Sequence, residues 1–171
     1  MVQIPSGFRI VEANGSHATE IARNNRLCFL EAEQVELPEE VALRGVVRTL
    51  SLPNCKYILL LDSSGRIIGQ YKQVWTWNDF YARDIVWMEH LYVLREFQGQ
   101  GLGKLLVDHF VESTESNQGE HRPFLELLVH EGNVNAIRLY RQKGFETLKY
   151  HWMVHVEAVK EVGYTCAPSR D

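Results

Sequence analysis

The sequence predicts a single domain, residues 1–171, of mixed α/β (α+β) type. Its 171 residues are enough for one domain with a well-formed core. Hydrophobic residues make up 45% and charged residues 23% of the chain, which are ordinary values for a globular protein. Strand-like runs follow one another first, and a β-α-β-α-β order comes after them. This order predicts a mixed sheet with helices on both faces.

The N-terminal part is predicted to hold one strand and two helices. Alternating apolar residues over 8–13 predict the first strand. Ser16 is a residue type that can cap a helix running to about residue 31. A proline followed by two glutamates opens the segment 38–50. Since proline suits the first helical turn and carboxylates suit the helix dipole, this segment is predicted to be the second helix.

A β-hairpin is predicted next, followed by a further strand. The apolar run 56–61 reads as a strand, and the Asp-Ser-Ser-Gly sequence of 62–65 is typical of a turn. The return strand is expected over 67–77. After a loop, the run 85–94 predicts the fourth strand of the chain.

The C-terminal half alternates helices and strands. Leucine, phenylalanine and valine recur at core-facing helical spacings over 103–116, which predicts a helix. A strand over 124–129, a helix over 133–143 and a strand over 144–157 are expected after it. The last residues, about 158–171, are predicted to form a tail.

Charge and composition argue against several classes of protein. The net charge of −4 and the absence of a Lys/Arg run argue against a nucleic-acid binder. No apolar stretch reaches 18 residues, so no membrane span is expected. The N-terminus lacks a basic region followed by an apolar core, so we expect no secretory signal. Three scattered cysteines suit reduced thiols in a cytoplasmic or nuclear compartment.

A metal site is not expected. His151 and His155 are spaced four residues apart, which on a helix would let both bind one ion. They lie in a run that is predicted to be a strand, where four residues span about 13 Å. That separation is too large for a single ion.

A glycine-rich segment lies between the strand-like run 88–93 and a helical pattern. It consists of Gln98, Gly99, Gln100, Gly101, Leu102, Gly103 and Lys104. Three glycines at alternate positions let the backbone turn tightly and expose its N–H groups. A helix that begins there adds unpaired N–H groups and a partial positive charge. A strand, a glycine loop and a helix start together predict a pyrophosphate site.

The spacing of this loop excludes two common phosphate motifs. A Walker A loop has four residues between its glycines and a hydroxyl residue after its lysine. Here three residues separate Gly99 from Gly103, and Leu105 follows Lys104. The dinucleotide fingerprint needs a glycine three residues after Gly101, where Lys104 stands.

The pattern that fits is Gln-x-x-Gly-x-Gly, formed by Gln98, Gly101 and Gly103. It resembles the acetyl-CoA loop of the GNAT superfamily of N-acetyltransferases. The segment 133–145 reads Asn-x-x-Ala-x-x-Leu-Tyr-x-x-x-Gly-Phe and resembles the second cofactor motif of the same superfamily. The two motif regions, 88–116 and 124–145, occur in the order that the superfamily requires.

The resemblance implies a mostly antiparallel, twisted sheet of six or seven strands with helices on both faces. Strands 4 and 5, ending near Val93 and Val129, would be parallel and splay apart, and the pantetheine of acetyl-CoA would enter the splay like an added strand. The implied cofactor-binding residues are Leu91, Tyr92, Val93, the seven residues from Gln98 to Lys104, Asn133, Ala136 and Tyr140. Two of them have plain alternatives: Asn133 also suits a helix N-cap, and Lys104 also suits a solvated first turn.

Two residues are the candidates for catalysis. Tyr140 matches the motif tyrosine whose hydroxyl approaches the thioester sulfur, which implies a general acid, and its alternative is core packing. Glu89 is the candidate general base, because the strand-like run around it resembles that of spermidine/spermine acetyltransferases. Its parity predicts that Glu89, Leu91 and Val93 face one way. The alternative for Glu89 is a hairpin salt bridge or an exposed carboxylate.

The acceptor site is less well defined by the sequence. Trp75 and Trp77 share one parity of the third strand, with Phe80 and Tyr81 just beyond. The carboxylates of the region between the first two helices are those of Glu31, Glu33 and Glu36. Carboxylates beside aromatic faces would suit a cationic amine. The alternative is that the tryptophans pack under helices and the glutamates are solvated.

The predicted function is therefore N-acetyl transfer from acetyl-CoA to a primary amine of a small molecule or peptide. The amine is expected to attack directly in a ternary complex. A non-catalytic CoA-binding module of the same fold, and a nucleotide-dependent transferase, are the alternatives. The resemblance leaves a homodimer open.

Overall fold

The centre of the molecule is a sheet whose strands follow one another in space as they do along the chain. The computed structural model describes residues 2–115, 122–149 and 153, and within them the sheet has five strands. They are β1 (Arg9–Glu12), β2 (Cys55–Leu61), β3 (Ile67–Asn78), β4 (Arg83–Val93) and β5 (Phe124–Leu127). The strands from β1 to β4 pair antiparallel, whereas β4 and β5 are parallel. The prediction of a mixed, mostly antiparallel sheet is confirmed.

Four α-helices occur in the described residues, close to the predicted positions. They are α1 (Ala18–Glu33), α2 (Glu39–Leu50), α3 (Leu102–Glu115) and α4 (Val134–Gln142). Short 3-10 turns lie at Gly15–His17 and Arg95–Phe97. The second of these turns joins the end of β4 to the glycine loop.

Each face of the sheet carries its own hydrophobic core. Successive side chains of a strand point to opposite faces, so neighbouring residues of β2 enter different cores. Leu59 packs with Ile21 of α1 and Val46 of α2. Leu60 faces the other way and packs with Leu106 of α3. The prediction of helices on both faces is therefore confirmed.

The start of α1 differs from the prediction. Ser16 does not cap the helix, because α1 begins only at Ala18 and its N-cap is His17, whose side chain makes no capping hydrogen bond to α1. Instead, Asn14 opens the preceding 3-10 turn, where its Oδ1 accepts the backbone N–H of Ser16 at 3.0 Å. The Ser16 hydroxyl donates to the same oxygen at 2.6 Å and is occupied there.

The predicted strand over 144–157 is wrong for its first part, 144–149, which forms no strand. Gly144 has a φ of 85°, and its N–H donates to the carbonyl of Arg141 at 3.1 Å. The next N–H donates to the carbonyl of Tyr140 at 3.1 Å. These two bonds form a Schellman motif, which caps the C-terminus of α4. The backbone here therefore ends a helix and does not begin a strand.

Other predictions fall beyond the described part of the chain. His151, His155, the tail over 158–171 and the remainder of the predicted last strand, Met153 excepted, lie there. The sheet of six or seven strands expected from the resemblance is thus five strands in the residues that the structure describes. Within the same residues, no helix is long and apolar enough to cross a membrane, and no cluster of three or more metal-ligating side chains occurs.

Candidate active site

The two parallel strands β4 and β5 separate partway along β4. Their pairing runs from Ile85 opposite Phe124 to Met88 opposite Leu127. Beyond Met88, β4 continues to Val93 and stays paired with β3. The main-chain groups on the β5 side of this last part of β4 therefore have no strand partner among the described residues, as the predicted splay requires. We call this edge of β4 the cleft.

The separation coincides with a break in the backbone of β4. His90 has a φ of 52°, in the left-handed region that non-glycine residues rarely adopt. The break ends the alternation of side chains, so the predicted common direction of Glu89 and Val93 is wrong. Glu89 turns to Lys72, whereas Val93 belongs to the core that contains Leu106 of α3.

The ring of His90 is held by two aromatic residues on the α1 side of the sheet. Its Nδ1 lies 3.3 Å from the hydroxyl of Tyr57, and Phe29 of α1 contacts it edge-on with centroids 5.6 Å apart. Burial, with a smaller contribution from Lys72, lowers the pKa of His90 to about 4. The imidazole is therefore neutral at pH 7.

A chain of buried polar side chains connects this pair to α1. Asn25 donates to the hydroxyl oxygen of Tyr57 at 2.9 Å, which leaves the phenolic hydrogen to be donated to Nδ1 of His90. Gln70 donates to Oδ1 of Asn25 at 2.8 Å, and Asn24 donates to Oε1 of Gln70 at 3.1 Å. Buried polar groups need such partners, so the chain fixes α1 over the break in β4.

Glu89 forms an ion pair with Lys72 on β3, with Nζ 2.5 Å from Oε2. This bears out the alternative interpretation of Glu89 as part of a hairpin salt bridge. The lysine side chain is 15% exposed, whereas that of Glu89 is 37% exposed, so the carboxylate keeps a solvent-accessible side. The pair lies immediately before the break at His90.

The glycine loop has the geometry that the sequence predicts. Gly99 and Gly101 have φ values of 75° and 82°, which explains why glycine stands at both positions. A Cβ at either position would have no neighbour within 4 Å, so the space above both glycines is open. The first backbone bond of α3 runs from Leu105 N–H to the Gly101 carbonyl, and the N–H groups just before it lack an intrahelical acceptor.

Side chains of the loop are used to hold the loop itself. Gln98 donates through Nε2 to the Val93 carbonyl at 2.9 Å, and Gln100 donates to the Glu96 carbonyl at 3.3 Å. Leu102 is buried in the α3 core, whereas Lys104 is exposed, as its alternative interpretation has it. The contribution of this segment to an anion site would therefore come mainly from its main chain.

The second motif brings Tyr140 to the core beside the cleft. Asn133 is the N-cap of α4 and accepts the Ala136 N–H through Oδ1 at 3.2 Å, so its capping interpretation is confirmed. Tyr140 packs against the core of α3 and contacts Phe145 edge-on at 6.1 Å, so its packing interpretation is confirmed as well. Burial raises the pKa of Tyr140 to about 12, and the phenol keeps its proton at neutral pH.

Cys28 of α1 is a cleft residue that the sequence did not indicate. Its thiol is 3.9 Å from the Leu91 carbonyl, the strand position next to the break. Cys28, Leu91 and Tyr140 all pack against the same core cluster, so α1, β4 and α4 meet there. Only its helical spacing from residues such as Asn24 and Asn25 could have pointed to this face of α1.

The predicted acceptor residues are not brought together. Trp77, Phe80 and Tyr81 are 64%, 89% and 60% exposed at the turn between β3 and β4. Glu31 contacts Tyr92, and Tyr92 pairs with Gln70 on β3. Gln70 precedes Trp77 by seven residues, which span about 23 Å along a strand, so Glu31 lies far from Trp77.

Two of the remaining acceptor candidates differ in burial. Trp75 is partly buried, with Nζ of Lys56 5.0 Å from its ring centroid, and Glu36 is exposed.

Comparison with known proteins agrees with this arrangement. Residues 18–145 match the family described as the acetyltransferase (GNAT) family. A protein of Bacillus subtilis subsp. natto named a probable spermine N(1)-acetyltransferase is 32% identical over 65 residues, which are 36% of this chain and 39% of that protein. The aligned region thus spans well under half of the curated relative.

Solved structures share the fold. One, of a possible acetyltransferase from Clostridium difficile 630, has a TM-score of 0.77 at 22% identity and covers 86% of this chain and 96% of its own. Another, an aminoglycoside acetyltransferase from an uncultured soil metagenomic sample in complex with sisomicin, has a TM-score of 0.69 at 15% identity and covers 87% and 96%. The chain belongs to the GNAT family of acetyltransferases.

The pKa of His90 leads to a prediction about stability at acid pH. The folded protein keeps His90 neutral down to about pH 4, whereas the unfolded chain protonates it near the ordinary value of 6.5. The unfolded state therefore binds more protons between these values, and stability falls as the pH falls through this window. Replacing His90 with asparagine, which tolerates left-handed backbone, removes that part of the loss.

Urea unfolding of the wild-type protein and of His90→Asn at pH 7.5 and pH 5 measures this effect. We expect the difference in unfolding free energy between the two pH values to be smaller for the variant. An equal difference in both proteins would contradict the assignment of a neutral His90.

Proposed function

We propose that this chain is an acetyl-CoA-dependent N-acetyltransferase that moves the acetyl group to a primary amine of a small molecule or peptide. The observation that carries the proposal is the proximity of the glycine loop and the start of α3, where a Cβ at Gly103 would lie 3.8 Å from Leu139, to the protonated phenol of the adjacent Tyr140. The first would hold the pyrophosphate, and the second would serve the departing thiolate.

Acetyl-CoA fits the open space of the cleft. The main-chain N–H groups from Gln98 to Lys104 and the start of α3 would bind the pyrophosphate, with Gly99 and Gly101 leaving room for the oxygens. The main-chain groups of Leu91, Tyr92 and Val93 would pair with pantetheine where β5 no longer pairs with β4. In this arrangement Asn133 and Ala136 would contribute through the start of α4.

The proposed reaction is a direct attack of the neutral amine on the thioester carbon. The nitrogen–carbon bond forms, the carbon–sulfur bond breaks, and main-chain N–H groups near Leu91 stabilise the negative oxygen in between. Glu89, directly or through water, takes the proton that the nitrogen loses. Tyr140 donates its proton to the thiolate. Much of the rate enhancement would come from holding both reactants in one cleft.

The acceptor is proposed to be a small amine. The curated relative is named for spermine, and one structural relative was solved with sisomicin, which supports amine acceptors of this kind. The exposed side of Glu89 would lie next to an incoming cationic amine. A non-catalytic CoA-binding module remains the rival function, because Tyr140 and Glu89 also have structural partners.

Binding of CoA is the first test of the proposal. CoA at about 100 times its Kd adds about 2.7 kcal/mol to the stability of the folded state. For a domain of this size, that raises Tm by roughly 5–10 °C. Differential scanning fluorimetry with CoA, ATP and NAD measures the shift. We expect a shift with CoA only, and equal shifts with ATP or NAD would contradict a CoA site.

The role of Tyr140 predicts a specific loss of turnover. Tyr140→Phe keeps the ring in the core but removes the proton donor, so kcat falls by roughly 10²–10⁴-fold. The Kd of acetyl-CoA, measured by calorimetry, stays within about threefold because the hydroxyl contributes at most one neutral hydrogen bond. Unchanged turnover in a free-thiol assay would remove Tyr140 from the mechanism.

The role of Glu89 is separated from its ion pair by two variants. Glu89→Gln removes the base and the ion pair together, and we expect kcat to fall by roughly 10²–10⁴-fold. Lys72→Met removes the ion pair but keeps the carboxylate, so kcat changes by less than about tenfold, as for one ion pair. Similar losses in both variants would show that Glu89 acts only through its pairing with Lys72.

A further inference from the structure

We propose that Glu31 is a positioning residue of the pyrophosphate loop, through which α1 fixes the loop for CoA binding. This inference rests on the proposed function, because it concerns the same cofactor site. It departs from the sequence-based expectation, which placed Glu31 with the amine acceptor.

Both carboxylate oxygens of Glu31 are used at the end of β4. Oε1 accepts the hydroxyl of Tyr92 at 3.0 Å, and Oε2 accepts Nε2 of Gln98 at 3.3 Å. The same Nε2 donates its other hydrogen to the Val93 carbonyl at 2.9 Å. One carboxylate thus holds the last turn of α1, the end of β4 and the first residue of the glycine loop together.

The partners of Glu31 are suited to this role. Tyr92 is 6% exposed, and burial followed by the Glu31 carboxylate raises its pKa, so its hydroxyl keeps the hydrogen that it donates. Gln98 directly precedes Gly99, whose left-handed backbone begins the turn. Fixing the side chain of Gln98 therefore fixes the direction in which the loop leaves β4.

The position of Glu31 in α1 is unfavourable for the helix alone. It lies in the last turn, where the negative end of the helix dipole disfavours a carboxylate, and no basic residue occurs in that turn. Among the described residues, the hydrogen bonds of the Glu31 carboxylate are those with Tyr92 and Gln98. This placement is explained if the carboxylate serves the loop rather than the helix.

A glycine-rich loop gains most from such a contact. Glycine has more backbone freedom than other residues, so a loop with Gly99 and Gly101 loses more entropy when a ligand orders it. Holding Gln98 in place before CoA arrives reduces that loss. Removing the contact should therefore weaken CoA binding without changing the reacting groups, which lie farther along the cleft.

A double-mutant cycle tests the inference by calorimetry with CoA. We expect Glu31→Ala to weaken CoA binding by about 3- to 10-fold, as for the net loss of one hydrogen bond. In a Gln98→Ala background the same change should weaken binding by less than about twofold, because the contact that links Glu31 to the loop is already absent. At saturating acetyl-CoA, kcat of Glu31→Ala should stay within about twofold of the wild-type value.

Two further variants keep the test interpretable. Glu40→Ala removes an exposed carboxylate at the start of α2 and should leave the Kd of CoA unchanged. Glu31→Gln retains an acceptor for Tyr92 and should fall between the wild-type protein and Glu31→Ala. If Glu31→Ala does not fold, Glu31→Gln takes its place, and its effect on CoA binding is compared between the wild-type and Gln98→Ala backgrounds.

The outcomes separate this inference from the proposed function. Failure of the wild-type protein to bind CoA would overturn both. Normal CoA binding by Glu31→Ala, or an equal loss in both backgrounds, would overturn the positioning role alone. A raised KM for the amine with an unchanged Kd for CoA would return Glu31 to the acceptor site.

Discussion

The cleft exists because β4 separates from β5 partway along its length while it stays paired with β3. Its hydrogen bonds to β5 stop at Met88, whereas those to β3 continue to Val93. The left-handed backbone at His90 turns the strand at this point, which costs about 1–2 kcal/mol for a residue with a Cβ. Such strain persists only where the surroundings hold it in place.

The surroundings that hold it are polar and buried. From His90 the hydrogen bonds pass through Tyr57, Asn25 and Gln70 to Asn24. No buried side-chain nitrogen or oxygen among the described residues lacks a partner. An amide without a partner in such a place would cost roughly 1–3 kcal/mol, so displacement of α1 would be penalised at several points together. The helix therefore has one well-defined position over the sheet.

The sequence predicts the parts of the site that local chemistry determines. The glycine loop and the start of α4 are encoded by residues within one turn of each other, so their backbone geometry was expected. The break at His90 was not, because the contact made there joins His90 to Tyr57, 33 positions away. The same holds for Gln98, which meets Glu31 across 67 positions. The prediction that alternate residues of a strand face one way assumes a regular strand, and it fails where tertiary contacts bend the strand.

The chain of buried polar side chains under α1 has a consequence for adaptation. The inner side of this helix is committed to Gln70 and Tyr57, and replacing any member leaves its neighbour with an unmet bond. Substitutions on this inner side of α1 would therefore destabilise the fold, whichever acceptor the enzyme uses. Directed evolution of this enzyme should leave these buried polar residues untouched.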